Sequence, residues 1–108
     1  MSPKLPPITH LQFLVLEALS VDEQAGRELR ALLSSVGVRN SGPAFYQMMA
    51  RLERARLVEG WYEQITVGDQ AVTERRYRLK PAGKRLWEET RAFYVRAGAA
   101  GRQRWSDA

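Results

Sequence analysis

The sequence predicts a mainly α, α+β domain built as three helices, a β-hairpin and a last helix, and three observations carry that expectation. Apolar residues recur at helical spacing three times before residue 55, each time behind a capping residue. The period then changes to two across residues 59–79, either side of the turn-forming Gly68-Asp69-Gln70. Pro81 afterwards opens a segment that is again helical in its apolar repeat.

Thr9 and Gln12 form a capping-box pair in front of the first helix. Leu11, Phe13, Leu14, Val15, Leu16, Ala18 and Leu19 follow with little polar interruption, so this helix expects burial or a share in a second subunit. Asp22 is expected to cap the second helix, whose Ala25, Leu29, Leu32, Leu33 and Val36 make one apolar face ending at Gly37. After a short polar connection, Ser41-Gly42-Pro43 supplies a cap and a first-turn proline for the third. Its Phe45, Met48, Met49 and Leu52 share one face, which leaves Pro43, Gln47, Ala50 and Arg54 opposite and Ala44, Tyr46 and Arg51 on the flanks. Residues 59–67 and 72–79 are rich in aromatic and β-branched types and read as the hairpin. In the last helix Leu86 and Trp87 recur seven residues on as Phe93 and Tyr94, with Ala97 following, before Gly98 and Gly101 weaken it.

That order is the winged helix-turn-helix: three helices, a hairpin wing and a C-terminal dimerisation helix. The expected organisation is a flexible arm over 1–7, the winged-helix domain over 8–80, the dimerisation helix over 81–97 and a frayed tail over 98–108, in which Trp105 hints at a docking contact. With 108 residues, 44% of them hydrophobic, there is material for one core and one domain. The chain has no cysteine, which excludes disulfides, thiolate metal sites and a cysteine nucleophile. It has no apolar run of signal-peptide or membrane-helix length, so a soluble, cytoplasmic protein is expected. His10 is the only histidine and has no partner ligand in the pattern. No nucleophile, base and orienting group fall together, and no glycine-rich phosphate loop is present, so neither a cofactor nor catalysis is expected.

The formal charge of +5 is unevenly placed. Residues 1–36 hold three cations against four carboxylates, residues 37–80 eight against five, and residues 81–108 six against three. Arg75, Arg76, Arg78, Lys80, Lys84 and Arg85 follow one another without a carboxylate, the footprint of a phosphate-facing surface or, in the plainer reading, of a solvated basic face.

The chain resembles the PadR-like family in Phe45-Tyr46, Arg51-Leu52-Glu53, Leu57-Val58 with Trp61, Arg75-Arg76-Tyr77-Arg78-Leu79 and Pro81-Ala82-Gly83. The resemblance spans roughly residues 8 to 95 and implies a dimer formed through the C-terminal helix, operator binding, and repression relieved by a small molecule. Arg56 stands where that family usually has glycine, Ala44 where it has threonine, and Lys80 where it has threonine.

These readings name a DNA-binding surface of Ser41, Pro43, Ala44, Tyr46, Gln47, Arg51 and Arg54 on the third helix, with Arg75, Arg76, Arg78 and Lys80 on the wing. Gln47 suits an adenine edge and arginine suits guanine or phosphate. The alternatives stay open: Arg51 as half of an ion pair with the second helix, Arg54 as a solubilising charge, and strand arginines that discourage edge pairing. Leu11, Leu14, Leu86, Trp87, Phe93 and Tyr94 are the expected dimer interface, and Trp87 with Tyr94 the candidates for holding a small aromatic effector, against the simpler role of filling the interface. The expected activity is sequence-specific regulation of transcription by a homodimeric repressor on a pseudo-palindromic operator in double-stranded DNA. The rival readings are a winged-helix protein-interaction module and a small-molecule sensor of weak DNA affinity.

Overall fold

The computed structural model describes residues 6–106, and they form α1 (His10–Leu19), β1 (Gln24–Ala25), α2 (Gly26–Ser35), α3 (Gly42–Arg54), β2 (Val58–Val67), β3 (Gln70–Leu79) and α4 (Pro81–Ser106). The antiparallel sheet has the order β1-β3-β2. Residues 1–5 of the expected arm, and the contact expected of the Trp105 side chain, lie outside the described residues.

The local signals act as their chemistry requires. Thr9 Oγ1 accepts from the Gln12 backbone N–H at 3.1 Å while Gln12 Oε1 accepts from the Thr9 N–H at 3.0 Å, which closes the capping box of α1. Ser41 Oγ accepts from the Ala44 N–H and Pro43 sits in the first turn of α3. The expectation for Asp22 is corrected: its Oδ1 accepts from the Glu23 N–H, and the cap position of α2 is Ala25, which has no side-chain bond to offer. Residues 24 and 25 form β1 instead, pairing Gln24 with Tyr77 and Ala25 with Arg76. A two-residue strand carries no periodicity, so this third strand is invisible to pattern.

The core lies where α1, α2, α3 and the base of the hairpin meet, around Val15, Leu16, Leu29, Phe45, Met49, Leu52, Val58 and Tyr77. All four apolar positions assigned to α3 are buried in it. Of the face expected on α2, Leu29 and Leu33 are buried, whereas Leu32 and Val36 are exposed. In the hairpin Val67 pairs with Gln70, leaving the two-residue loop Gly68-Asp69, and Gly68 takes φ 63°, the backbone that a II′ turn demands at its first central position. Where a frayed tail was expected from residue 98, α4 instead continues to Ser106, giving 26 residues and a chain 63 Å long. Two late glycines lower helix propensity but do not break a helix that is already nucleated.

α2 and α3 end in the same hydrogen-bond pattern. At α2 the Gly37 N–H donates to Ser34 O and the Val38 N–H to Leu33 O; at α3 the Arg56 N–H donates to Glu53 O and the Leu57 N–H to Leu52 O. This is the Schellman arrangement, and it places one residue in the left-handed region. In α2 that residue is Gly37 at φ 85°, and in α3 it is Arg56 at φ 60°. A side chain there costs about 1–2 kcal/mol in the folded state, and the added freedom of glycine in the unfolded state returns part of that. Arg56→Gly should therefore stabilise the domain by about 0.5–1 kcal/mol in urea denaturation; a lower midpoint would show that Arg56 makes a compensating contact.

Candidate nucleic-acid interface

α3 is divided lengthwise. Phe45, Met48, Met49 and Leu52 fix one side in the core, so Pro43, Ala44, Gln47, Arg51 and Arg54 are held outward and exposed. Ser41, at the N-cap, is exposed beside them. Tyr46 takes an intermediate place: its ring meets Phe45 edge to face at 5.0 Å and its hydroxyl lies against Gly26, while 39% of it remains exposed. The structure thus brings the seven α3 candidates to one surface.

The wing candidates are placed differently. Strand alternation puts Arg75 on the face with Tyr62 and Tyr77, and Arg76 and Arg78 on the other with Glu63 and Glu59. Arg75 donates to Glu53 Oε1 at 2.5 Å and stacks 4.6 Å over the Tyr62 ring. Arg78 pairs with Glu59 at 2.8 Å and lies 5.4 Å from the Trp61 ring. Arg76 is the most enclosed, with its Nη1 2.9 Å from Glu74 Oε2; its Nε lies 3.2 Å from Glu63 Oε2 but off a hydrogen-bond line, so that contact is Coulombic only. Lys80, half-buried, has no ion pair among the described residues. The nearest carboxylate in sequence to Arg51, Glu53, is bonded to Arg75, and Arg51 itself forms no ion pair with α2.

Sequence reasoning missed the carboxylate that organises this region. Glu74 is buried between two guanidinium groups, accepting from Arg76 Nη1 at 2.9 Å and from Arg27 Nε at 2.8 Å, and it ties the wing to the first turn of α2. The bond from Arg76, with that from Arg27, holds its carboxyl below the usual carboxylate range, outweighing burial. Burial pushes the Tyr77 phenol above its ordinary value. A glutamate at a position of strand alternation facing Arg76 was the one available signal, and Arg27 lies too far along the chain to be paired with it by spacing.

The aromatic candidates on α4 are each engaged within the chain. The Trp87 indole N–H donates to Glu17 Oε2 at 2.7 Å and its ring packs on the core. Tyr94 stands among Phe13 at 5.7 Å, Phe93 at 5.5 Å and His10 at 6.4 Å. Leu11 and Leu14 pack against the core and remain half-exposed. Thr90, buried in the middle of α4, returns its hydroxyl to Leu86 O at 2.6 Å. Among the described residues no three His, Asp or Glu side chains are grouped to hold a metal ion, and no helix is long and apolar enough to cross a membrane.

The sequence matches no family model and no curated protein. Its structure is similar to that of a PadR-family transcription regulator from Clostridium difficile, with a TM-score of 0.75, 16% identity, and coverage of 88% of this chain and 97% of that one. A PadR-like transcriptional regulator from Bacillus cereus gives a TM-score of 0.73 at 20% identity, covering 86% of this chain and 88% of that one. Bacillus subtilis PadR, solved in complex with operator DNA, gives 0.60 at 14% identity, covering 81% of this chain and 48% of that one. The chain has the winged-helix fold of PadR-family regulators.

Because the Glu74 carboxyl is held low, its contribution to stability is complete above the ordinary carboxylate pKa and is lost as pH falls through its folded value. Denaturation midpoints should therefore drop on acidification of the native protein. Glu74→Gln should begin lower at neutral pH and show a smaller acid-side drop; a pH dependence equal to that of the native chain would remove Glu74 from this role.

Proposed function

We propose that this chain is a PadR-like, sequence-specific DNA-binding regulator of transcription, acting as a homodimeric repressor whose two α3 helices enter successive major grooves of a pseudo-palindromic operator. One observation carries the reading: α3 is fixed by four buried side chains and holds Gln47, Arg51 and Arg54 outward along one exposed face. A major groove about 12 Å across admits an α-helix. The likeness in fold to a protein solved on operator DNA supports it. In a two-fold dimer the half-sites would lie about 34–36 Å apart, one turn of duplex.

The dimer is supported by α4, which carries Tyr94 and Val95 exposed at 43% and 60% on a helix that runs well past the core. A second copy is the natural cover for these side chains and for Phe93. An effector of small aromatic type would meet Trp87 and Tyr94 near that axis, after displacing the contacts each makes within its own chain.

Selection of bound sites from a random duplex pool tests the function, and an absence of enrichment would refute sequence-specific binding. On a selected site, Gln47→Ala should cost about 1–3 kcal/mol at one base position and relax selectivity there. Arg51→Ala should weaken all sequences alike and lower the salt dependence, as loss of a phosphate contact does. Equal and sequence-independent losses from both would exclude base reading by Gln47. For the interface, Leu86→Glu combined with Phe93→Glu should sediment as a monomer, and a persistent dimer would place the contact elsewhere.

A further inference from the structure

Among the described residues Arg27, Arg75, Arg76 and Arg78 pair with carboxylates, whereas ten cations form no ion pair, and five of those ten gather where the end of α3 meets the start of α4. We propose that the junction of the end of α3 with the start of α4, carrying Arg54, Arg56, Lys80, Lys84 and Arg85, is the surface that binds the phosphate backbone of duplex DNA, and that the wing is not. The proposal deepens the DNA-binding reading above and rests on it.

The wing has little charge to offer. Residues 58–79 contain four carboxylates, Glu59, Glu63, Asp69 and Glu74, against three arginines, and each arginine is paired. Its outer part, residues 62–74, has three carboxylates and no lysine or arginine. A phosphate approaching the tip would meet its own sign of charge.

At the junction the opposite holds. Arg54, Arg56, Lys84 and Arg85 are exposed, Lys80 is half-buried, and none of the five forms an ion pair among the described residues. Glu53 and Glu59, which flank Arg54 and Arg56 in sequence, are taken by Arg75 and Arg78, while Glu88 and Glu89 follow Lys84 and Arg85 by one turn of α4 without an ion pair to them. The pairings that neutralise the wing therefore also occupy the two carboxylates nearest to Arg54 and Arg56 in sequence. Backbone contacts bring the two segments together: the Leu57 carbonyl accepts from the Lys80 N–H at 3.0 Å, and Gly83 packs directly against the same oxygen.

Arg56 is the most telling member. It occupies a left-handed position that Gly37 fills at the end of α2, so an unfavourable backbone carries a side chain that forms no ion pair among the described residues. Lys80, Lys84 and Arg85 likewise sit at the positive end of the α4 dipole, where cations detract from helix stability. Among the described residues none of the large exposed aromatic side chains, Tyr46, Tyr62 and Tyr94, belongs to the patch, so it lacks the aromatic anchors by which a protein partner gains affinity, whereas phosphate needs only charge. The patch also continues the α3 face through Arg51 and Arg54, one helical turn apart, so a duplex seated on α3 would pass beside it.

The test is the salt dependence of binding to random-sequence duplex, measured for the native protein and two variants of unchanged circular dichroism. Arg56→Gly with Lys84→Gln and Arg85→Gln should lower the slope of log affinity against log salt by about 0.9 for each phosphate contact removed, while Arg56→Gly makes the fold no weaker. Asp69→Lys, at the wing tip, should leave the slope unchanged. Salt-insensitive or absent binding by the native protein would refute the DNA reading itself. With native binding intact, an unaltered slope in the junction variant, or a slope steeper by about one in Asp69→Lys, would overturn this assignment. So would binding of poly-glutamate that the junction variant loses while its duplex binding is unaffected.

Discussion

The Leu57 carbonyl oxygen is the point on which the arrangement of the C-terminal half depends. The Leu57 N–H closes the end of α3 on Leu52, its carbonyl accepts the Lys80 N–H as β3 ends, and Gly83 lies against it as α4 begins. A Cβ on residue 83 would overlap that oxygen, and the obstacle is backbone, which cannot swing aside as a side chain can. The end of one helix, the base of the wing and the start of the next helix are thereby fixed to within one residue. The start of α4 is set by this contact and its course by packing on α1 through Trp87 and Tyr94, and the closeness of residues 54–56 to residues 80–85 follows from the first.

A second constraint is electrostatic and acts between surfaces. Arg27, Glu74, Arg76 and Glu63 form a connected set from the first turn of α2 across the wing, and Glu53–Arg75 ties the wing to α3 on the other face. Glu74, 8% exposed, needs both guanidinium groups to be ionised without a large desolvation penalty. Charge used in this way holds the wing at a set angle to α3 and is withdrawn from any outside partner. Net charge is conserved in this exchange, so the same +5 can face outward in a quite different pattern from the one its sequence order suggests.

Much of the architecture was legible because it depends on neighbours in sequence. Thr9 with Gln12 and Ser41 with Pro43 act over three residues or fewer, and the α3 core face follows from helical spacing alone. The hairpin was readable from its period and its Gly68 turn, though its true loop is one residue shorter than the pattern suggested. Asp22 reads as a cap because it and an apolar repeat three residues on fit together locally, whereas the sheet edge at Tyr77 takes residues 24 and 25 as a strand. The end of α4 is not legible in the sequence because glycine lowers propensity without by itself ending a helix.

The sequence by itself determined the order of elements, the buried side of each helix, the outward set on α3, and the total charge. Each of these is a property of residues within a few positions of one another, and capping, periodicity and turn chemistry act at that range. The tertiary structure alone decided which charges are free. Glu74 finds Arg27 across 47 residues, Trp87 finds Glu17 across 70, and Arg75 finds Glu53 across 22. A run of basic residues in β3 and the start of α4 reads as one cationic stretch until folding pairs its first half with carboxylates from three other segments, while its second half forms no ion pair among the described residues.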